Sequence, residues 1–178
     1  MKIFITGRPA SGKTTLILKL LDFLKGKNVK VGGFITKEIR AKGQRVGFEM
    51  VDLSSGKEGI LAHVNVKSPL RVSKYGINLE ILNRIGVKSL EEALNGKFDL
   101  LVVDEIGRME LLSKEFRRKL QEILSSDIRL VATLHLKFVK EFGKFGEVIY
   151  LEREKFDEIL ELIKSEVSKM FGLSEESG

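Results

Sequence analysis

The sequence predicts an α/β fold: a doubly wound, mainly parallel sheet with the β-rich middle of the chain as an insertion or sheet extension. Short apolar strands alternate with amphipathic helical stretches at both ends of the chain, which is the βαβ pattern of a parallel sheet covered by helices on two faces. Between them lies a run of β-like segments with turn residues in the gaps. The 178 residues, 43% hydrophobic and 31% charged, supply enough apolar mass for one core but not for two full domains. One domain over 1–171 is expected, with 172–178 as a frayed tail.

Lys2 to Thr6 reads as a strand, followed by a glycine-containing loop and a helix from Lys13 to Lys25 with Leu16, Leu20, Leu21 and Leu24 at apolar positions. Val29 to Thr36, Arg45 to Asp52 and Glu58 to His63 read as a meander, broken at Gly43 and at Ser54, Ser55 and Gly56. Asn78 can cap a helix that runs through Ile85 and ends at Gly86; Ser89 and Glu92 have capping-box spacing for another before Gly96. Leu100 to Asp104 is a continuous apolar run of the kind buried on both faces of a parallel sheet. Ser113 opens a helix to Leu124 that gathers Phe116, Leu120, Ile123 and Leu124 on one side. Ile128 to Leu134 and Glu147 to Leu151 are further strands. Phe156, Ile159, Leu160, Ile163, Val167 and Met170 keep helical spacing in the last element.

Composition removes several function classes. With no Cys, disulfides, thiolate zinc sites and thiol nucleophiles are excluded. The apolar run after Lys2 breaks at Thr6, too short for a secretory signal, and no stretch approaches a membrane span, so a cytoplasmic protein is expected. The net charge of +6 is spread along the chain, a solvated surface more than a polyanion footprint. Two Gln, no Trp and many Lys and Glu match the composition of heat-adapted proteins.

Gly7-Arg8-Pro9-Ala10-Ser11-Gly12-Lys13-Thr14 satisfies GxxxxGK(S/T), the P-loop pattern, between a strand and a helix. That placement turns successive amides and a helix N-terminus toward one anion. Amides from Ala10 through Thr15 can surround phosphates, Lys13 can meet the β/γ oxygens, and the Thr14 hydroxyl can ligate Mg²⁺. Leu100 to Glu105 is a Walker B pattern, an apolar strand delivering two carboxylates where open α/β sheets place ligands. Asp104 completes the Mg²⁺ site. Alternation along a strand points Glu105 elsewhere, to orient or deprotonate a water. Asp104-Glu105-Ile106-Gly107 also fits the DxxG of switch GTPases, but no guanine-reading NKxD follows.

The P-loop, Val103-Asp104-Glu105-Ile106-Gly107-Arg108-Met109-Glu110-Leu111, and Gly33 to Arg40 followed by Gly47-Phe48 together resemble the thermophilic nucleoside triphosphatase family, which includes the cancer-related nucleoside triphosphatases. The match runs from Met1 to about Ile163. It implies a RecA-like P-loop NTPase fold and slow, Mg²⁺-dependent hydrolysis of ATP, GTP, CTP, UTP and TTP with little base preference. It also makes Gly7 to Thr14 the nucleotide loop and Asp104 and Glu105 the acidic edge. The chain departs from the family pattern twice: Arg108 stands where lysine is common, and Arg153-Glu154-Lys155-Phe156-Asp157 stands where an Asn-Arg-Asp-like stretch is expected after Tyr150.

Secondary candidates each have a plainer reading. Arg108 is an arginine finger within the chain or a surface ion pair. Thr133 senses the γ-phosphate or is a satisfied strand threonine, and His135 is a proton shuttle or a capping residue. Lys37, Arg40, Lys42 and Arg45, and separately Lys114, Arg117, Arg118 and Lys119, bind nucleic acid phosphates or are solvated. Tyr75 stacks on a base or anchors a loop. The leading expectation is therefore a monomeric nucleoside triphosphatase. Its rivals are a nucleotide or small-molecule kinase on the same fold, in which Glu105 activates an acceptor hydroxyl, and an ATP-gated nucleic-acid-binding module.

Overall fold

The structure, a computed structural model, describes residues 1–173. Nine strands, β1 (Lys2–Thr6), β2 (Val31–Ala41), β3 (Gln44–Asp52), β4 (Glu58–His63), β5 (Arg71–Val72), β6 (Tyr75–Ile77), β7 (Leu100–Ile106), β8 (Leu130–Leu134) and β9 (Glu147–Tyr150), form one sheet in the order β5-β6-β4-β3-β2-β7-β8-β1-β9. The helices are α1 (Lys13–Leu24), α2 (Leu79–Ile81), α3 (Lys88–Leu94), α4 (Lys114–Leu124), α5 (Val139–Phe142) and α6 (Phe156–Phe171).

Pairings from β2 through β9 are parallel and those from β2 through β5 antiparallel, four of each. The sheet is therefore mixed, not mainly parallel. The β-rich middle is an extension of the same sheet, because β2 belongs to both halves: Val31 to Phe34 pair with β7, and Phe34 to Ala41 pair with β3. The sequence reading ended this strand at Thr36. It runs on to Ala41 because the β2–β3 hairpin turn at Lys42 and Gly43 lets both strands continue past the end of β7.

Strand alternation builds two cores. Phe4, Leu101, Val103 and Ala132 face α3, α4 and α5, whereas Ile3, Ile5, Leu100, Val102 and Val131 face α1 and α6. The doubly wound half matches the expected layers.

Two caps behave as expected: the Asn78 side chain accepts from the Ile81 N–H at 3.3 Å, and Ser113 Oγ accepts from the Phe116 N–H at 3.1 Å. Gly86 does not end a helix. The chain passes through it in a π-helical segment, Leu82–Val87, straight into α3, with Gly86 buried against Leu82 and Met50. Ser89 is consequently internal, donating to the Gly86 carbonyl at 2.8 Å instead of capping. The β5–β6 hairpin has no counterpart in the sequence reading, since strands of two and three residues are too short to show a period. Gly172 and Leu173, read as tail, instead form the helix stop: the Leu173 N–H returns to the Ser168 carbonyl at 2.9 Å and Leu173 packs on the α1–α6 core. Residues 174–178 lie outside the described residues.

Ser113 is buried, and its hydroxyl also donates to Asn83 Oδ1 at 2.9 Å, tying α4 to the π-helical segment. Ser113→Ala should lower the unfolding free energy by about 1–2 kcal/mol, read as a shifted denaturant midpoint at unchanged slope, because it removes a cap and the hydrogen bond to the half-buried Asn83.

Candidate active site

The site forms at the carboxyl edge of the parallel half, where β1, β7 and β8 end side by side. Thr6 Oγ1, the last side chain of β1, donates to the Leu134 carbonyl at 2.6 Å and pins the start of the loop to the end of β8. From there Gly7 to Gly12 bend into α1. A Cβ on Gly7 would lie 2.6 Å from the Leu151 carbonyl oxygen, and one on Gly12, at φ 100°, would lie 3.3 Å from the Phe156 ring. Both positions therefore require glycine. Gly12 holds the N-cap position of α1 with no side-chain cap, so the first amides of the helix stay available to an anion.

Lys13 Nζ donates to the carbonyls of Gly7 and Arg8 at 3.0 and 3.1 Å, folded over its own loop. Arg153, in the stretch that departs from the family pattern, donates from Nε to the Ala10 carbonyl at 2.8 Å. Sequence reasoning assigned Arg153 no contact with the loop; 143 positions separate the partners, and no local pattern signals the meeting.

Asp104 is 2% exposed at the end of β7. Its Oδ1 accepts from Thr133 Oγ1 on β8 at 2.7 Å, while Oδ2 is buried and has no hydrogen-bond partner among the described residues. Burial pushes this carboxyl above the ordinary range. The Thr133 hydroxyl opposes that most, helped by Thr14, the Thr36 backbone and the Lys13 charge. The Thr133 hydroxyl hydrogen is thus spent on Asp104.

The β7–β8 register shifts between Val103 and Ile106, and the cleft that Asp104 lines is lined also by Glu105. The Glu105 carboxylate folds over Gly107, where an added Cβ would lie 2.5 Å from Oε1. Burial and then the Asp104 charge raise Glu105 to about 7, against the pull of Lys13. Glu110 is a buried carboxyl that the sequence reading quoted but gave no role. Burial, then the Glu105 charge, hold it well above the ordinary range, although the Glu110 and Gly107 amides favour its charge.

Lys13, Asp104, Glu105, Arg108, Glu110 and His135 line one cleft of about 960 Å³. Arg108 is exposed there and makes no ion pair among the described residues. His135 Nδ1 accepts from the Lys137 N–H at 3.1 Å, the capping role, and burial, then the Arg108 and Lys13 charges, push its pKa down. Among the described residues no cluster of three or more His, Cys, Asp or Glu side chains could cage a metal. The donors present, one unpartnered carboxylate oxygen beside a threonine hydroxyl, suit Mg²⁺, which keeps waters and takes substrate phosphate oxygens for the rest.

Of the two basic sets weighed as nucleic-acid contacts or as solvated charge, the one on α4 is mostly paired. On α4, Arg117 pairs with Glu141, Arg118 with Glu115 and Lys119 with Glu122. Phe34 is fully buried, and Tyr75 is buried with its hydroxyl accepting from Arg45, so Tyr75 anchors the hairpin. Among the described residues no helix is long and apolar enough to cross a membrane.

With its folded pKa raised to about 7, Glu105 binds a proton in the native state that the unfolded chain releases near 4.5. Protonation therefore favours the fold: metal-free protein should lose stability as pH rises from about 4.5 to 7, by up to about 1.4 kcal/mol per unit from this group. Denaturant titrations across that window should show a shallower decline in Glu105→Gln.

A family model described as NTPase matches residues 2–164. The nucleoside-triphosphatase THEP1 of Methanothermobacter thermautotrophicus is 44% identical over 161 residues, covering 89% of this chain and 91% of its own length, and that of Methanocaldococcus jannaschii is 46% identical, covering 92% and 97%. The crystal structure of THEP1 from Aquifex aeolicus superposes with a TM-score of 0.80 at 33% identity, covering 92% of this chain and 96% of that one. The solution structure of a human cancer-related nucleoside triphosphatase does so with 0.77 at 32%, covering 94% and 97%. A glycine loop, a buried acid edge and likeness along nearly the whole length converge: the chain belongs to the NTPase family.

Proposed function

We propose that this protein is a Mg²⁺-dependent nucleoside triphosphatase that cleaves the terminal anhydride to the diphosphate and phosphate with little regard for the base. The observation that carries this reading is the convergence of Lys13, Asp104 and Glu105 on one cleft beside open helix amides. The relatives named as nucleoside-triphosphatases support it, and the missing guanine-reading NKxD supports weak base selection.

In this reading the amides from Ala10 through Thr15 bind the phosphates, and Lys13 exchanges the Gly7 and Arg8 carbonyls for β/γ oxygens. Thr14 and Asp104 Oδ2 would hold Mg²⁺, which when bound neutralises charge across the β- and γ-phosphates. Thr133 keeps Asp104 oriented through Oδ1, leaving Oδ2 free. Glu105, poised near neutrality, takes a proton from the water attacking the γ-phosphorus as the bridging oxygen leaves with the diphosphate. Arg108, exposed and without a carboxylate partner among the described residues, meets charge that develops on the transferred group. His135 serves as the cap of its own turn through Nδ1.

Phosphate release from a panel of purified nucleoside triphosphates tests the reading. Lys13→Ala should reduce turnover by about 10²–10⁴-fold. Glu105→Gln should bind nucleotide within a few-fold of wild type yet hydrolyse it about 10²–10⁴-fold more slowly. Wild-type turnover in purified Glu105→Gln would remove the proposed base. Chelating the divalent ion should abolish release with every base, and retention of activity in excess chelator would remove the metal from the reading.

A further inference from the structure

The cleft does not stop at the acid edge. Phe34 of β2 pairs with Val103, three residues before β7 ends at Ile106, so β2 from Glu38 onward projects past the end of β7 on the side of Asp104 away from the P-loop. The β2–β3 hairpin, backed by β4, β5 and β6, thereby walls the same cleft from across the acids. Its lining there is cationic: Lys37, Arg40, Arg45 and Lys74 against the single carboxylate of Glu38. The P-loop end already has Lys13, Arg108 and Arg153 for a triphosphate, and the hairpin adds a second set beyond them.

The second set is pre-organised. Arg45 donates from Nε to the Tyr75 hydroxyl at 3.0 Å, and its guanidinium lies 5.1 Å from the Phe48 ring centroid and 5.8 Å from that of Tyr75. One terminal nitrogen approaches Glu38 at 3.4 Å; Nη2 makes no hydrogen bond among the described residues, and the side chain remains 44% exposed. Arg40 shares the same Glu38 at 2.9 Å, so one carboxylate serves two guanidinium groups. Lys37 stands opposite Glu49 across the hairpin without a contact ion pair, and Lys74 lies 5.6 Å from the Tyr75 ring centroid. A fixed guanidinium fork with free N–H groups is suited to a phosphate. Leu61 and Val72 give the same end an apolar floor.

We propose that this hairpin end is a second anion site, taking a small phosphomonoester such as a nucleoside monophosphate across the acid edge from the triphosphate. The proposal rests on the P-loop end being the triphosphate site. The cleft of about 960 Å³ lies at the upper end of the roughly 300–1,000 Å³ that small-molecule clefts span, consistent with more than one ligand. A nucleic acid strand fits less well, because strand binding relies on free aromatic faces in succession, whereas Phe48 and Tyr75 are packed edge to face at 5.5 Å with Arg45 over both.

The test is calorimetric titration of UMP into the full chain with Mg²⁺ and saturating β,γ-imido-ATP at low salt. One equivalent should bind. The double variant Arg40→Gln/Arg45→Gln should weaken UMP at least tenfold while imido-ATP affinity stays within twofold. Because Arg45 also anchors Tyr75, Lys37→Gln/Lys74→Gln, at exposed positions, serves as a second variant and should weaken UMP at least threefold. Inorganic phosphate binding as tightly as UMP would uphold the site and place its recognition in the phosphate alone. No uptake of UMP or inorganic phosphate at millimolar concentration, or uptake indifferent to both variants, overturns the proposal. So does a parallel loss of imido-ATP affinity, which would put the triphosphate's own base there. A 5′-phosphorylated tetranucleotide binding ten times tighter than UMP overturns it in favour of nucleic acid. If imido-ATP itself fails to bind, the P-loop reading falls, and UMP titrated into the same protein without it still decides the hairpin site.

Discussion

A carboxylate buried at the edge of a parallel sheet, one oxygen fastened and the other left without a partner, is the constraint around which this molecule is arranged. Burying Asp104 is costly unless its charge is met, and the structure meets half of it: Thr133 holds Oδ1, and Oδ2 is left over. The proposed cation answers that second half, with Thr14 in the first turn of α1 as its other protein ligand. The elements around Asp104 serve this geometry: β8 brings Thr133, β1 ends in Thr6, which ties the loop to β8, and α1 begins close by.

The neighbouring acids extend the same physics. Packing Glu105 and Glu110 into the low-dielectric space beside Asp104 makes each charge raise the next, so the edge carries more carboxyl groups than negative charges near neutral pH. A group poised near 7 can accept a proton and give it up, which is what the proposed water activation needs. Gly107 belongs to this arrangement too, because the Glu105 carboxylate occupies the space a side chain there would fill.

The two halves of the sheet divide the labour. Parallel strands deliver the loop and the acids to one edge, as open α/β sheets do. The antiparallel extension carries few acids and many cations to the far wall of the same cleft, and its hairpin is braced by Arg45 lying over Phe48 and Tyr75.

Much of this was legible in the chain because it is local. The glycine spacing of the loop, the apolar run ending in Asp104-Glu105, the caps at Asn78 and Ser113, and the periods of α1, α4 and α6 depend on residues a few positions apart. The family likeness also followed from contiguous motifs. Gly86 misled because its helix-stopping tendency lost to packing against Leu82 and Met50, a tertiary contact. That Glu105 lines the same cleft as Asp104 shows only in the packed sheet, where β7 shifts register against β8. The pairing of Thr133 with Asp104, Arg153 with Ala10 and Arg45 with Tyr75 joins residues 29, 143 and 30 positions apart. Short-range sterics and hydrophobic period thus set the elements and the phosphate loop from sequence alone. Which charges face one another, and which acid is left without a partner, only the packed sheet decided, because Coulomb and desolvation energies depend on distance in space and not along the chain.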